Sequence, residues 1–427
     1  MSVTNFPAEV LEEVVSAMPW IDLPSLALVS REFRQLSQRK LFQYIFLEDR
    51  RLRDPSPNPH PRHILLKTIL TENPIIAPYI RHLECTQTNR RRSSYSDDGP
   101  PILWMIDHGV LLGEILQLLE DSGIQSIAIM TMGHSLNWFN LHPVVQSGFL
   151  HLFENPVLTS LVLDGFILPS NISSGFTNLE ALTISDSSWS TDRLLSIGPF
   201  DASGNTSNGE TARLSSLDLA IELRALGLPA EHVGSLLELD FTRLSKLSLT
   251  LDTMPQSILS FTMQQSIPLL PTIRPFISGP NLEVLKIKCA SDEILIDLSP
   301  TVSLQKLVIE CCISQQGDDC SWIDFLLSSL PTTSPMQMFT LNIFVPPLLP
   351  LSSDPSDPVD TQSWRSLSQI LARSHERLPR IKQIGVCITI STLTMKTQDE
   401  VDQVKEKVRD CFAWGSDSVL GLDFIVI

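Results

Sequence analysis

Residues 304–312 read LQKLVIECC, and the spacing of their apolar residues decides the fold of this chain. Leu304 is followed by two other residues, then by Leu307, one other residue, and Ile309. The last two apolar anchors alternate with positions that point the other way, which is typical of a strand buried on one face. The first anchor turns the chain inward. The segment therefore predicts one short β-strand that begins with an inward turn.

The same spacing recurs along the chain, from residue 80 to residue 424. Eight copies fit well, and their anchors are Ile124-Ile127-Ile129, Leu158-Leu161-Leu163, Leu179-Leu182-Ile184, Leu214-Leu217-Leu219, Leu244-Leu247-Leu249, Leu282-Leu285-Ile287, Leu304-Leu307-Ile309 and Ile381-Ile384-Val386. Three looser copies are Ile80-Leu83-Cys85, Met336-Phe339-Leu341 and Val419-Leu422-Phe424. The pattern predicts eleven strands.

Segments with helical periodicity lie between several of these strands, at 102–121, 142–153, 321–330, 361–378 and 396–415. A strand, a long helical connection and a further strand are typical of parallel pairing, since parallel neighbours need a crossover. The predicted fold class is therefore α/β with a parallel sheet.

The repeated strand pattern resembles that of leucine-rich-repeat proteins. The steps from Leu158 to Leu179 and from Leu282 to Leu304 are 21 and 22 residues, inside the family period of about 20–29. Most other steps are longer, and only Cys312 supplies the family's usual Asn or Cys after the strand. The resemblance implies an irregular leucine-rich-repeat solenoid with a curved parallel sheet over residues 63–427. A generic parallel α/β sheet is the alternative.

Composition and charge exclude several classes of protein. The 427 residues carry 31 Lys and Arg against 48 Asp and Glu, a formal net charge of −17 that opposes general binding to nucleic acid or anionic membranes. Seven scattered cysteines in so large a chain indicate a reducing compartment rather than a disulfide framework. Without a secretory leader pattern or a long apolar stretch, the sequence predicts a cytoplasmic or nuclear protein.

The first fifty residues have a different character. Residues 7–18, PAEVLEEVVSAM, predict an amphipathic helix; Asp22 is a plausible N-cap for a second helix, and a third is expected from about Ser30. Residues 39–47, RKLFQYIFL, predict a fourth short element of this helical unit. So small a unit cannot bury all its apolar side chains by itself, which predicts a partner surface.

This N-terminal stretch resembles an F-box. The family's Leu-Pro-x-Glu opening corresponds to Phe6-Pro7-Ala8-Glu9, its Asp-Leu pair to Asp22-Leu23, and its Val-Cys/Ser-Arg-x-Trp/Phe-Arg core to residues 29–34, VSREFR. The resemblance implies an F-box at 1–48 that docks on the Skp-family adaptor of a cullin–RING ubiquitin ligase, followed by a proline-rich linker at 49–62. The expected adaptor-facing or helix-locking residues are Pro7, Leu11, Leu23, Leu28, Val29, Phe33, Leu41 and Phe42. A plain helical cap on a larger domain is the alternative interpretation.

Four of the ten lysines occupy positions between strand anchors, where side chains point away from the core: Lys246, Lys286, Lys288 and Lys306. On a protein of charge −17 they form a positive stripe that we expect to bind an acidic or phosphorylated segment of a target protein. Polar residues placed there only for solubility are the alternative. Glu310 is the expected neighbour of Lys288.

The sequence contains no phosphate-binding loop, nucleophile elbow, zincin helix or Cys-x-x-Cys pair. We therefore expect no enzymatic activity, no cofactor and no metal. The favoured hypothesis is a substrate-recognition subunit of an SCF-type ubiquitin ligase whose repeat domain binds an unknown target protein. The alternatives are an F-box scaffold or assembly protein that does not direct ubiquitin transfer, and an enzyme that carries an F-box.

Overall fold

The structure is a computed structural model of the full chain. It describes residues 6–48, 61–88, 103–132, 136–168, 172, 176, 178–185, 188–189, 214–222, 241–252, 277–289, 296–312, 320–345, 361–390, 398–412 and 420–426. The predicted linker at 49–62 lies outside this part except for its last two residues. The chain divides into two compact units, Met1–Ala212 and Arg213–Ile427.

The first unit begins with three helices and continues as alternating strands and helices. Its helices are α1 (Ala8–Ala17), α2 (Leu23–Leu26), α3 (Arg31–Phe42), α4 (Pro61–Glu72), α5 (Trp104–Asp107), α6 (Gly109–Leu118) and α7 (Pro143–Phe153), with 3-10 helices at Pro74–Tyr79 and Trp138–Asn140. Its strands are β1 (Tyr44–Glu48), β2 (His82–Thr88), β3 (Ser126–Met132), β4 (Leu136–Asn137), β5 (Ser160–Asp164), β6 (Phe166–Leu168), β7 (Ala181–Ser185) and β8 (Ser188–Trp189). Helix α6 packs against both α4 and α7.

Strands β1, β2, β3, β5 and β7 pair in parallel and in chain order. The short strands β4, β6 and β8 form a second parallel sheet. Their few residues carry no repeated apolar spacing, so the sequence pattern did not predict them.

The second unit contains a seven-stranded parallel sheet, again in chain order. Its strands are β9 (Ser216–Glu222), β10 (Lys246–Asp252), β11 (Val284–Cys289), β12 (Lys306–Cys312), β13 (Met338–Val345), β14 (Gln383–Ile390) and β15 (Leu420–Val426). Its helices are α8 (Ser321–Ser329), α9 (Thr361–Arg377) and α10 (Gln398–Cys411), with a 3-10 helix at Phe241–Arg243. Helix α9 packs between α8 and α10. The predicted α/β class with parallel pairing is confirmed.

All eleven predicted strands are present, and the anchors of the first ten line up within each sheet. The register of β15 is shifted by two residues, since Leu420 rather than the predicted anchor Leu422 lies opposite Ile384. In the first unit Leu83, Ile127, Leu161 and Leu182 are in register and fully buried. In the second unit the corresponding row is Leu217, Leu247, Leu285, Leu307, Phe339 and Ile384. Since these ten strands add their anchors at the same register, the core continues from strand to strand within each unit.

The strand entries also share one hydrogen-bond geometry. The carbonyl oxygen of Gln125 accepts hydrogen bonds from the backbone N–H groups of Thr159 and Ser160, at 2.9 and 3.0 Å. The carbonyl oxygen of Gln305 does the same for Gln337 and Met338, at 2.8 and 3.1 Å. Successive strands are therefore built to one local design despite their unequal spacing in sequence.

The prediction for residues 39–47 was wrong in part. Helix α3 ends at Phe42, and the chain then forms β1, which pairs with β2. The carbonyl oxygen of Gln43 accepts from the N–H groups of Arg81 and His82, as at the other strand entries. This segment is thus a further copy of the strand pattern. Its first anchor, Phe42, precedes β1, and its other two anchors, Ile45 and Leu47, lie in β1 at the usual spacing.

Candidate functional site

The N-terminal helices α1, α2 and α3 enclose a small apolar core. Leu11, Val15, Leu23 and Phe33 are buried there, and Met18, Leu26, Leu36 and Leu41 pack around them. Four buried side chains are few for a unit of this size, so much of its apolar surface stays outside.

One of the three helices in this unit has a side-chain cap at its start. Helix α3 begins beside Ser30, as predicted, and the Ser30 hydroxyl caps it by accepting a hydrogen bond from the backbone N–H of Phe33 at 3.2 Å. Asp22 occupies the N-cap position of α2, but its side chain makes no capping hydrogen bond.

We define the N-terminal apolar surface as eight exposed apolar residues on and beside these helices. They are Phe6, Pro7, Val10, Val14, Trp20, Ile21, Leu28 and Val29. Ile21 is 85% exposed and Leu28 is 80% exposed. Contiguous exposed apolar patches on proteins are often interaction surfaces.

The structure divides the residues predicted to contact an adaptor into three groups. Leu11, Leu23 and Phe33 belong to the internal core and lock the helices together. Pro7, Leu28 and Val29 are exposed, and Leu41 and Phe42 are half-buried. Their role in binding stays a prediction.

Sequence reasoning missed five members of the N-terminal apolar surface: Phe6, Val10, Val14, Trp20 and Ile21. A signal for two of them was present in the helical spacing. Val10 and Val14 lie four residues apart on α1, one position before the buried pair Leu11 and Val15. They therefore form a second apolar stripe beside the core-facing one.

The four lysines of the predicted positive stripe lie on one face of strands β10, β11 and β12. Lys246 and Lys306 are both in register with Val284, in one row across the three strands. Lys286 lies in the next row, and Lys288 in the row after that. The alternate positions of these strands point into the core, so the lysines share the outward face.

Charge is not uniform along this face. Lys286 Nζ lies 3.0 Å from Glu310 Oε1, which also accepts a hydrogen bond from Asn342 Nδ2 at 3.3 Å. Lys288 is in register with Glu310, as predicted, but the ion pair forms with Lys286 instead. The carboxylate therefore pairs with Lys286 and Asn342, and Lys246 and Lys306 lie away from it.

Buried cysteines lie in the described strands of both units. Cys289 and Cys311 are buried in register on β11 and β12, and Cys85 is buried in β2. Burial raises the pKa of the Cys85 thiol and makes it a poor nucleophile. The described residues contain no group of three His, Cys, Asp or Glu able to hold a metal ion.

None of the described helices combines the length and apolar character needed to cross a membrane. Comparison of the chain with models of known protein families found no match. A search of curated proteins likewise found no similar sequence.

Proposed function

We propose that this protein is a substrate-recognition subunit of an SCF-type cullin–RING ubiquitin ligase. The observation that carries the proposal is the N-terminal apolar surface, which lies outside the four-residue core of α1, α2 and α3. In this proposal the three helices are the F-box head, and the apolar side chains bind the Skp-family adaptor by burial against it.

The remainder of the chain is proposed to be an irregular leucine-rich-repeat solenoid with a curved parallel sheet. The in-register anchor rows and the shared hydrogen-bond geometry at the strand entries support it. In a solenoid each repeat contacts its neighbours and leaves one continuous face of the sheet for a ligand. The outward face that carries Lys246, Lys286, Lys288 and Lys306 is the proposed target-binding face.

Such a protein accelerates ubiquitin transfer without catalytic residues of its own. Holding a target beside a charged ubiquitin-conjugating enzyme raises the effective concentration of its acceptor lysine. The proposed location is the cytoplasm or nucleus, and no cofactor is required.

An F-box scaffold that binds the adaptor without directing ubiquitin transfer is the second candidate. The same apolar surface favours both candidates, because both bind the adaptor. They differ in the fate of the bound protein, which is degraded only in the first case.

Adaptor binding is tested by point substitutions in the full chain. A deletion up to residue 47 would also remove most of β1 from its sheet, so it would not isolate the head. Ile21→Asp with Leu28→Asp places two charges on the N-terminal apolar surface without touching the buried core. We expect this variant to lose co-purification with the adaptor.

The matched control is Ile64→Asp on α4, where an isoleucine of the same first unit is 46% exposed. It should retain the adaptor. Equal adaptor recovery with the double variant and the wild type would overturn the proposal. If the adaptor is captured, a second measurement separates receptor from scaffold. It compares, between cells with the wild type and cells with the double variant, the half-lives of proteins that co-purify under proteasome inhibition. Only a receptor shortens the half-lives of the proteins that it binds.

A further inference from the structure

We propose that the row formed by Lys246, Val284 and Lys306 binds the phosphoryl group of a phosphorylated segment of the target protein. This inference rests on the proposed function, since it identifies the chemistry that the target must present to the repeat domain. It assigns ligand binding to two of the four lysines of the positive stripe, and it specifies one class of ligand.

The geometry brings the two lysines to opposite sides of one position. Lys246 on β10 and Lys306 on β12 are each in register with Val284 on β11. Neighbouring strands lie about 4.8 Å apart, so the two Cα atoms are separated by roughly 10 Å. The long side chains can converge above Val284, whose short side chain leaves space between them.

The row contains cations and no acid. From β9 to β14 its members are Ser216, Lys246, Val284, Lys306, Met338 and Gln383. Neither Lys246 nor Lys306 forms an ion pair with any residue that the structure describes. Like charges two strands apart raise the free energy of the folded state unless an anion lies between them.

The neighbouring lysines serve as an internal comparison. Lys286 already has Glu310 at 3.0 Å, and Lys288 is in register with the same carboxylate. The chain thus supplies its own acid to Lys286, whereas the row at Val284 contains none. The site for an external anion is therefore Lys246 and Lys306.

A phosphoryl group fits this site better than a carboxylate. It carries a charge of about −1.5 to −2 at neutral pH and three acceptor oxygens, whereas a carboxylate carries one charge. Two ammonium groups with three donors each can be neutralised by a single phosphoryl group. A nucleic acid is disfavoured because the whole chain has a net charge of −17.

The experiment uses the full chain co-purified with the adaptor and a bead-bound library of phosphoserine peptides with degenerate flanking residues. Matched libraries carry serine or glutamate in place of phosphoserine. We expect retention on the phosphoserine library that falls at least tenfold in Lys246→Gln/Lys306→Gln. The difference in retention between the wild type and this variant should shrink as salt concentration rises, since screening weakens the wild-type contact.

The control variant is Lys405→Gln/Lys407→Gln on α10, which makes the same change in net charge within the same unit. It should bind the phosphoserine library like the wild type. Equal retention on the glutamate library, equal losses in both double variants, or no retention by the wild type would each overturn the inference. Adaptor capture is measured in the same preparations, so failure of the phosphoryl site with capture intact leaves the proposed function standing.

Discussion

The ammonium group of Lys40 on α3 donates a hydrogen bond to the carbonyl oxygen of Ser16 at 2.7 Å. The same nitrogen donates to the carbonyl oxygens of Met18 at 2.8 Å and Val15 at 3.0 Å. These carbonyls lie at the C-terminal end of α1, where the helix leaves acceptors without intrahelical partners. A cation there also interacts favourably with the helix dipole. Lys40 therefore joins α1 to α3 and closes the end of α1.

Replacing Lys40 with methionine should weaken the N-terminal helices while keeping the length of the side chain. We expect a loss of roughly 1–2 kcal/mol, because three carbonyls lose a charged donor but remain partly accessible to water. Hydrogen exchange of the α1 amides should accelerate more than exchange in the sheets.

The control for this prediction is Arg39→Met at the neighbouring position. Arg39 lies 3.9 Å from Glu12, and both side chains are 58% exposed. So exposed an ion pair contributes less than about 1 kcal/mol. A smaller effect at Lys40 than at Arg39 would contradict the assigned role of Lys40.

Two glycines allow α6 and α7 to approach closely. A Cβ atom at Gly113 would lie 2.5 Å from Val144 Cγ1, and one at Gly148 would lie 2.7 Å from Leu116 Cβ. Gly113→Ala and Gly148→Ala should each destabilise the first unit by about 1–2 kcal/mol, since overpacking outweighs the better helix propensity of alanine. Chemical denaturation measures the change.

Gly385 in β14 is the control position for the glycine variants. A Cβ atom there would find its nearest neighbours on Thr340 at 3.9 Å, an ordinary contact distance. Gly385→Ala should be neutral or slightly stabilising. A stable Gly148→Ala protein would show that α6 and α7 are not packed as closely as described.

Tyr44 and Glu84 connect the first two strands of the first sheet. The Tyr44 hydroxyl donates a hydrogen bond to Glu84 Oε2. Partial burial and the adjacent carboxylate raise the pKa of Tyr44 to about 12. Because the neutral phenol is favoured in the folded state, its stabilising contribution is present below the unfolded pKa of about 10 and is lost as pH rises from 10 to 12.

An alkaline titration followed by tyrosinate absorbance tests this arrangement. The chain has three tyrosines, so one late-titrating residue is a large part of the signal. Tyr44→Phe should remove the late phase, and Glu84→Gln should move it to lower pH. Three tyrosines ionising together near pH 10 would contradict the contact.

The isolated chain should associate through the N-terminal apolar surface. Burying each large apolar side chain in a partner contributes roughly 1.5–3 kcal/mol, so the exposed set favours self-association when no partner is present. Ile21→Lys with Leu28→Lys should lower the aggregated fraction measured by light scattering, and Ile64→Lys should not. A monodisperse wild-type monomer would count against the proposed docking role.

The strand pattern could be predicted because each copy is a local feature. Three anchors within six residues specify a half-buried strand wherever they occur, as at Leu304, Leu307 and Ile309. The helices at 321–329 and 361–377 were likewise predictable from their periodicity within one segment. Parallel pairing followed from the length of the connections.

The strand at residues 44–48 could not be predicted from local sequence alone. Phe42, Ile45 and Leu47 have the anchor spacing of the other strands, yet they directly follow a helical segment of the N-terminal head. Pairing of β1 with β2 requires contact with residues 82–86, and no local signal specifies that contact. The same spacing is thus compatible with a helix end until a neighbouring strand is present.

By itself the sequence determined the α/β class, the positions of eleven strands and the face on which the lysines lie, because these depend on periodicity within short segments. Only the tertiary structure decided which apolar residues of the head are buried, since Leu11 and Val10 are equally apolar neighbours and only packing against α3 distinguishes them. It also decided that Glu310 pairs with Lys286 rather than Lys288, because side-chain direction across neighbouring strands selects the partner. Lys246 and Lys306 lie in a row of this face that contains no acid.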